Sequence, residues 1–283
     1  MRTWPALEIA APDDLVQAAL TDFDVAAIDD NAPESWRVFF QTAEGRDRAA
    51  AALHRQFPQL TTTPVDVPDE DWAARSQADL KAVRVGNLVV APPWDLRSAE
   101  APPHPFSTAI TIVIHPSMGF GTGHHATTRL CLAHLQALEL NGKSAIDVGT
   151  GSGVLALAAA RLGAAPVLAI DDDPDAIQSA RENVDFNPGV QVTLGILDLR
   201  RAAVRPALSA VDGPFDVVLA NLTGGLLAAA SGALQQLAAP GGRLVLSGLM
   251  EHEEADVLAA FGACATVTRS QEDEWVCVTL RRR

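Results

Sequence analysis

The stretch that most constrains this chain is a short apolar run that breaks into glycines and resumes as a helix. Ser144-Ala145-Ile146 leads into Asp147-Val148-Gly149-Thr150-Gly151-Ser152-Gly153, after which Val154 to Leu162 is rich in Ala and Leu. Strand, glycine loop, helix is an order that builds a nucleotide pocket. Glycines let the backbone turn sharply and approach a ligand, while the N–H groups of the first helical turn lack intrahelical partners and can donate to it. The run Gly151-Ser152-Gly153-Val154-Leu155-Ala156 also satisfies the relaxed fingerprint G-x-G-x-x-A. A nicotinamide or flavin reading therefore stands at this point, beside the plainer one of a structural turn.

Around the loop the pattern alternates. A helix running from Cys131 to Leu140, a strand at Ala145 to Val148, a helix at Val154 to Leu162, a strand at Val167 to Asp171 and a helix at Pro174 to Phe186 follow one another. Further buried strands are expected at Val190 to Leu194, Phe215 to Ala220 and Arg243 to Ser247, with helices at Leu226 to Ala239 and Glu253 to Phe261. Such alternation predicts a mostly parallel sheet, here of seven strands, covered on both faces. Ala265 to Arg269 and Trp275 to Leu280 have no helix between them and should form an antiparallel pair at one edge.

The N-terminal third reads differently. Leu7 to Ile9, Val25 to Ile28, Glu34 to Phe40 and Leu60 to Val65 are strand-like, and Pro12 to Leu20 and Glu44 to Phe57 are helical. The order β-α-β-β-α-β predicts a small ferredoxin-like α+β domain over residues 1–66. Pro64 to Pro68 should break it, and residues 67–95 then read as a connector: a helix from Asp69 to Leu80 and a hairpin turning at Gly86-Asn87. Residues 96–283 form the α/β domain.

Charge and cysteines narrow the classes of function. A formal net charge of −14 with no basic stripe argues against a nucleic-acid binder and suits a basic protein partner. Cys131, Cys264 and Cys277 lack C-x-x-C spacing, so neither a disulfide framework nor a zinc knuckle is expected, and no metal site is assigned. With no signal-like or membrane-length apolar segment, the expectation is a cytoplasmic protein, and the terminal Arg281-Arg282-Arg283 reads as a solvated tail.

Asp171 ends its strand about 20 residues past the loop, where a carboxylate can take both hydroxyls of a ribose. Asp172 and Asp173 read as helix-start charge, with Asp173 as the cap before Pro174. Asp147 can accept bonds from the turn or meet a ligand's ammonium group. NAD carries no primary ammonium, so this carboxylate leans towards S-adenosylmethionine. His124 and His125 sit where a loop enters a helix, which explains polar residues there without proton transfer. Trp72, Trp94 and Trp275 read as packing residues.

The run Met118-Gly119-Phe120-Gly121-Thr122-Gly123-His124-His125-Ala126-Thr127-Thr128, taken with Asp147 to Gly153, Asp171-Asp172-Asp173-Pro174 and Ala220-Asn221-Leu222, resembles the ribosomal protein L11 methyltransferase family (PrmA). Asp69-Glu70-Asp71-Trp72, Asp79-Leu80-Lys81, Pro93-Trp94 and Glu274-Trp275-Val276 look like its linker and flanking segments. The resemblance implies a class I, Rossmann-like enzyme that uses S-adenosylmethionine. Phe120, Gly121, Thr122 and Gly123 would close over the methionine end of the cofactor; Gly149, Gly151 and Gly153 would approach it from below; and Asp171 would hold its ribose. Asp147, Thr150, Asp172, Ile196 and Leu197 complete the expected cofactor set, and Asn221 would face the reacting amine as the catalytic residue. Ala126 and Thr223-Gly224 depart from the family's usual residues.

The implied substrate is a large-subunit ribosomal protein, bound through the N-terminal domain and methylated at its α-amine and at lysines by a monomeric enzyme that touches neither nucleic acid nor membrane. Another lysine or small-molecule methyltransferase, or an NAD-dependent oxidoreductase, are the other readings. An α-amine, with a reference pKa of about 7.7–8.0, has a sizeable neutral fraction near neutral pH, whereas a lysine at about 10.4 has almost none. Asn221 would orient the amine and not act as its base.

Overall fold

A computed structural model describes residues 3–10, 16, 19–20, 23, 25–32, 35–68, 80–96, 109–116, 123–198 and 214–283. The chain divides into two compact units, Met1–Asp79 and Leu80–Arg283.

In the smaller unit, β1 (Thr3–Ala10), β2 (Val25–Ala32), β3 (Ser35–Phe40) and β4 (Thr62–Pro68) form an antiparallel sheet in the order β2-β3-β1-β4. This is the strand order of a ferredoxin-like sandwich. Helix α1 (Ala43–Gln56) starts at Thr42, whose Oγ1 accepts from Gly45 N at 3.0 Å. Its buried Ala49 and Leu53 join Leu7, Ile9, Val38 and Phe40, the alternate residues of β1 and β3, in one core. Of the expected first helix only Val16, Ala19 and Leu20 are described, and they are helical.

Pro64 to Pro68 does not break the pattern. It is β4 itself, with Leu7 opposite Pro64. A proline lacks the N–H that an interior strand must donate, but β4 lies at the sheet edge, where one side of the strand needs no partner.

The larger unit carries a sheet in the order β10-β9-β8-β11-β12-β14-β13, built from β8 (Ala145–Val148), β9 (Val167–Asp171), β10 (Thr193–Ile196), β11 (Phe215–Asn221), β12 (Ala238–Met250), β13 (Cys264–Glu272) and β14 (Trp275–Arg282). The first five pair in parallel; β14 runs antiparallel between β12 and β13. This is the class I methyltransferase arrangement expected from the sequence. Alternate residues feed opposite faces: Val217 and Leu219 pack with α2 (Ala126–Gln136) and α3 (Val154–Arg161), while Val218 and Ala220 pack with α5 (Gly224–Ala229), α6 (Ser231–Leu237) and α7 (Glu254–Ala260). Helix α4 (Pro174–Asp185) follows β9.

A third sheet, β5 (Val83–Val85), β6 (Leu88–Ala91) and β7 (Ile110–Val113), sends Leu88, Val90 and Ile112 into the same core as α2 and α3. The hairpin placed by sequence in the connector is thus part of the larger unit. The connector helix expected from Asp69 to Leu80 and the loop at 101–105 lie outside the described residues.

Several boundaries move. The strand expected at Val190 to Leu194 begins at Thr193 and runs to Ile196, because Val190 and Val192 pack sideways into the core before pairing with β9 starts. The helix expected over Leu226 to Ala239 is two short helices meeting at Ala230, and Ala238 already pairs with Phe215 as the first residue of β12. Arg281 and Arg282 are not a free tail; they pair with Arg243 and Cys264, respectively, at the end of β14. The cysteines are unbonded, Cys131 and Cys277 being buried.

Phe40 is fully buried in the small unit's core. Phe40→Ala should cost that unit about 3–5 kcal/mol, read as faster amide exchange at Leu7 and Val38. Unchanged exchange there would refute the packing.

Candidate functional site

The sheet order reverses at β8. Its next strand in sequence, β9, lies on one side and β11 on the other, so the carboxyl ends of these three strands frame a crevice. Ligands of open α/β sheets bind at such a switch point. Asp147, Asp171 and Asn221 all belong to these strand ends.

The glycine loop is held by partners from several elements. Gly149, Gly151 and Gly153 take φ of 71°, 54° and 83°, a region costly for residues with a Cβ. Thr150 Oγ1 donates to Asp147 Oδ2 at 2.7 Å, and Ala156 N donates to the same oxygen at 3.1 Å. Gly149 N and Thr150 N both donate to Ile170 O, and Gly151 N donates to Asp171 Oδ2 at 2.9 Å. Asp147, Thr150, Gly151 and Gly153 therefore shape the loop from behind. Asp147 is buried, and burial raises its pKa from 3.8 to about 6 against the opposing bonds from Thr150 and Ala156; the nearby Asp171 carboxylate adds to the rise.

The cleft in front of the loop is lined by Val148, Gly149, Asp171, Asp172, Leu197 and Asp198 on one side and by Leu222, Leu226, Ala229 and Ala230 on the other. Three carboxylates and no cationic side chain line it among the described residues. Ribose hydroxyls can donate to these carboxylates, a flat base can lie on the leucines, and a cationic group meets favourable charge. Those features fit an adenosyl group carrying a sulfonium. The floor is close-packed at Gly149, where a Cβ would stand 2.4 Å from Leu222 Cδ2 and the leucine side chain would have to shift.

Leu222 is itself locked. Its N–H donates to Ser247 O at 2.9 Å, and its peptide crosses so close to Gly248 that a Cβ there would lie 2.4 Å from Leu222 O. Gly248, at φ 86°, sits in the bulge where β12 shifts register against β14. Asn221 precedes this lock at the end of β11. It lies half-buried, its Nδ2 3.5 Å from Thr128 Oγ1 in the first turn of α2.

Helix α2 is anchored where it begins. His125 is its cap: Nδ1 accepts from Thr127 N at 3.4 Å, lies 2.8 Å from Thr127 Oγ1, and the ring meets Trp275 edge-on with centroids 4.9 Å apart. Arg129 donates to His124 O and pairs with Glu272 on β13. His125 thus serves the helix start, as expected, and Trp275 packs. Trp94 donates Nε1–H to Leu80 O at 3.2 Å; Trp72 lies outside the described residues.

Of the residues selected by sequence, Gly149, Asp171, Asp172 and Leu197 line the cleft. Asp173 caps α4 through Asp175 N at 2.9 Å. Ile196 is absent from the lining: it ends the edge strand β10 with 60% exposure, and the chain turns so that Leu197 and Asp198 face the cleft instead. Gly123, at φ 85°, packs on Val90, which a Cβ would approach to 3.0 Å. Phe120, Gly121 and Thr122 lie outside the described residues. Among the described residues no group of His, Cys, Asp and Glu could hold a metal ion. Leu226, Ala229 and Ala230 were not selected, since small apolar residues on a short helix carry no signal beyond amphipathicity.

The sequence matches the family described as ribosomal protein L11 methyltransferase (PrmA) over residues 17–283. It is 36% identical over 250 residues to the protein of that name from Myxococcus xanthus, covering 86% of this chain and 80% of the relative. The Geobacter sulfurreducens protein of the same name is 42% identical over 240 residues, covering 83% and 73%. Among solved structures, the ribosomal protein L11 methylase from Lactobacillus delbrueckii subsp. bulgaricus superposes with a TM-score of 0.62 at 25% identity, covering 72% of this chain and 100% of that one.

Two outcomes test the site's construction. Gly149→Ala should cost about 1–3 kcal/mol from its left-handed backbone and the Leu222 contact, and Leu222→Ala should relieve part of that in a double-mutant cycle; strictly additive costs refute the contact. Asp147 binds its proton more tightly folded than unfolded, so the stability it contributes is complete below about pH 4 and is lost as pH rises through about 6. Against Asp147→Asn, wild type should therefore lose up to about 3 kcal/mol between pH 4 and 7, seen as diverging urea midpoints; parallel midpoints overturn the assignment.

Proposed function

The chain belongs to the ribosomal protein L11 methyltransferase (PrmA) family, and from that premise we propose how its residues divide the work. It is a protein methyltransferase that takes its methyl group from S-adenosylmethionine and modifies ribosomal protein L11. The observation that carries our reading of the site is the carboxylate-lined cleft beside a glycine loop with three left-handed positions, with Asn221 next in the chain to the cleft residue Leu222.

In this reading Asp171 and Asp172 would hold the ribose hydroxyls, Leu197 and Leu222 would flank the adenine, and Gly149 would let the ligand lie against the backbone. When bound, the cofactor supplies an electrophilic methyl group on a sulfonium. Chemistry then needs little from the protein beyond alignment, which contributes up to roughly 7–11 kcal/mol in well-oriented systems. Asn221 Oδ1 would accept from the amine's N–H and aim its lone pair. Nδ2, 3.5 Å from Thr128 Oγ1, faces α2, which leaves the oxygen as the free end of the amide. An α-amine, with a reference pKa of about 7.7–8.0, has a sizeable neutral fraction near neutral pH, whereas a lysine at about 10.4 has almost none; either loses its proton to solvent before transfer.

We assign substrate recognition to the unit Met1–Asp79 and the acceptors to the α-amine and lysine ε-amines of the ribosomal protein. The chain's formal charge of −14 favours encounter with a lysine-bearing protein and disfavours direct contact with nucleic acid. We place the enzyme in the cytoplasm as a monomer; no helix among the described residues is long and apolar enough to cross a membrane.

Labelled S-adenosylmethionine, incubated with the purified chain and ribosomes lacking the modification, should label one large-subunit protein; label on none would overturn the substrate. In the same assay Asn221→Ala should lower kcat by about 10²-fold, the scale of a lost positioning contact, with S-adenosylhomocysteine affinity kept. Full turnover in that variant would point to a different acceptor residue.

A further inference from the structure

Helix α4 carries Asn183, and Asn187 lies two residues past its end; the two are 0% and 1% exposed. Buried amides persist only where their donors and acceptors are all met. Asn187 Oδ1 accepts from Val113 N at 2.9 Å, and its Nδ2 donates to Val113 O at 2.6 Å and to Asn183 O at 2.7 Å. It pins the end of β7 to α4. Asn183 does something different. Its Nδ2 donates to Ser152 O at 2.9 Å, inside the glycine loop, and its Oδ1 accepts from His115 N at 2.7 Å, two residues past β7.

Ser152 stands between Gly151 and Gly153, both left-handed, so the direction of its carbonyl sets how the two glycine turns join. The loop's N–H groups and the hydroxyl of Thr150 bond to β8 and β9. Asn183 brings a third element, α4, to the carbonyl side. The amide's polarity is fixed by its two partners: a flipped amide would set N–H against the N–H of His115 and oxygen against the oxygen of Ser152. Aspartate keeps the acceptor and loses the donor; leucine loses both.

We propose that Asn183 is a positioning residue for cofactor binding, which holds the Ser152 peptide, and hence the glycine loop, in its ligand-ready conformation. The assignment rests on the cofactor site proposed above. Its action is on affinity and not on the transfer step, since Asn221 belongs to a different strand end.

The test compares Asn183→Asp with Asn187→Asp, the same substitution at equal burial with no bond to the loop, by calorimetric titration with S-adenosylhomocysteine, steady-state kinetics and thermal melting. Asn183→Asp should raise the S-adenosylhomocysteine Kd and the S-adenosylmethionine KM about tenfold or more, as for a lost buried hydrogen bond, and leave kcat at saturating cofactor within about twofold. Asn187→Asp should lower the melting temperature and leave Kd within about twofold. If Asn183→Asp does not fold, Asn183→Ser, which leaves space for a bridging water, should still weaken binding more than Asn187→Ser does. Equal Kd values in wild type and the Asn183 variants, or matched losses at both positions, overturn the proposal. Failure of wild type itself to bind S-adenosylhomocysteine would instead overturn the site.

Discussion

Asp147 is the penultimate residue of β8, where the chain must turn, and its Oδ2 takes bonds from Thr150 Oγ1 within the loop and from Ala156 N in the first turn of the helix that follows. Everything at the carboxyl edge of the sheet depends on that clasp. It draws the first turn of α3 towards the strand end, so that Gly149 to Gly153 has a single course to follow. The bonds to Ile170 O and Asp171 then tie the loop to β9. A buried carboxylate is a costly anchor, and the pKa of about 6 expresses that cost. It persists because its acceptor oxygen meets a hydroxyl and a backbone N–H that would otherwise be orphaned.

The same loop leaves a cleft whose charge suits its ligand. Dinucleotide and S-adenosylmethionine sites share the strand, glycine loop and helix, and a fingerprint in the sequence does not separate them; membership of the methyltransferase family does. Asp171, Asp172 and Asp198 line the cleft with negative charge that suits ribose hydroxyls and a sulfonium. On the far wall, Leu222 lies against two glycines distant in sequence, Gly149 beside its side chain and Gly248 beside its peptide, each leaving the space it occupies. Asn221, which we propose orients the acceptor amine, adjoins that leucine, which gives the wall's rigidity a bearing on that role.

Local physics made much of this legible before any coordinates. The alternation of apolar runs marked the parallel sheet, and the Asp173-Pro174 helix start was readable from capping chemistry alone. What went astray shows where local signals end. Pro64 looks like a terminator and is an edge-strand residue, because the sheet order, not the residue, decides whether its missing N–H matters. Of the expected adenine-side run Ile196 to Asp198, Leu197 and Asp198 line the cleft, while Ile196 is 60% exposed at the end of the edge strand. The Arg281-Arg282 end has the solvated Arg281 side chain expected of it, yet its backbone is paired in a β ladder.

The sequence by itself determined the strand, loop and helix of the cofactor floor, the acidic residues at its strand ends and the family to which the chain belongs, because each depends on short-range spacing and backbone preference. Only the tertiary structure decided which carboxylates line the cleft, that Leu222 is wedged between Gly149 and Gly248, and that Asn183 reaches Ser152 from a helix 31 residues along the chain. Those are contacts between elements brought together by the sheet order. No residue's own pattern encodes them, since a buried asparagine and an exposed one look alike until the neighbour that satisfies the amide is in place.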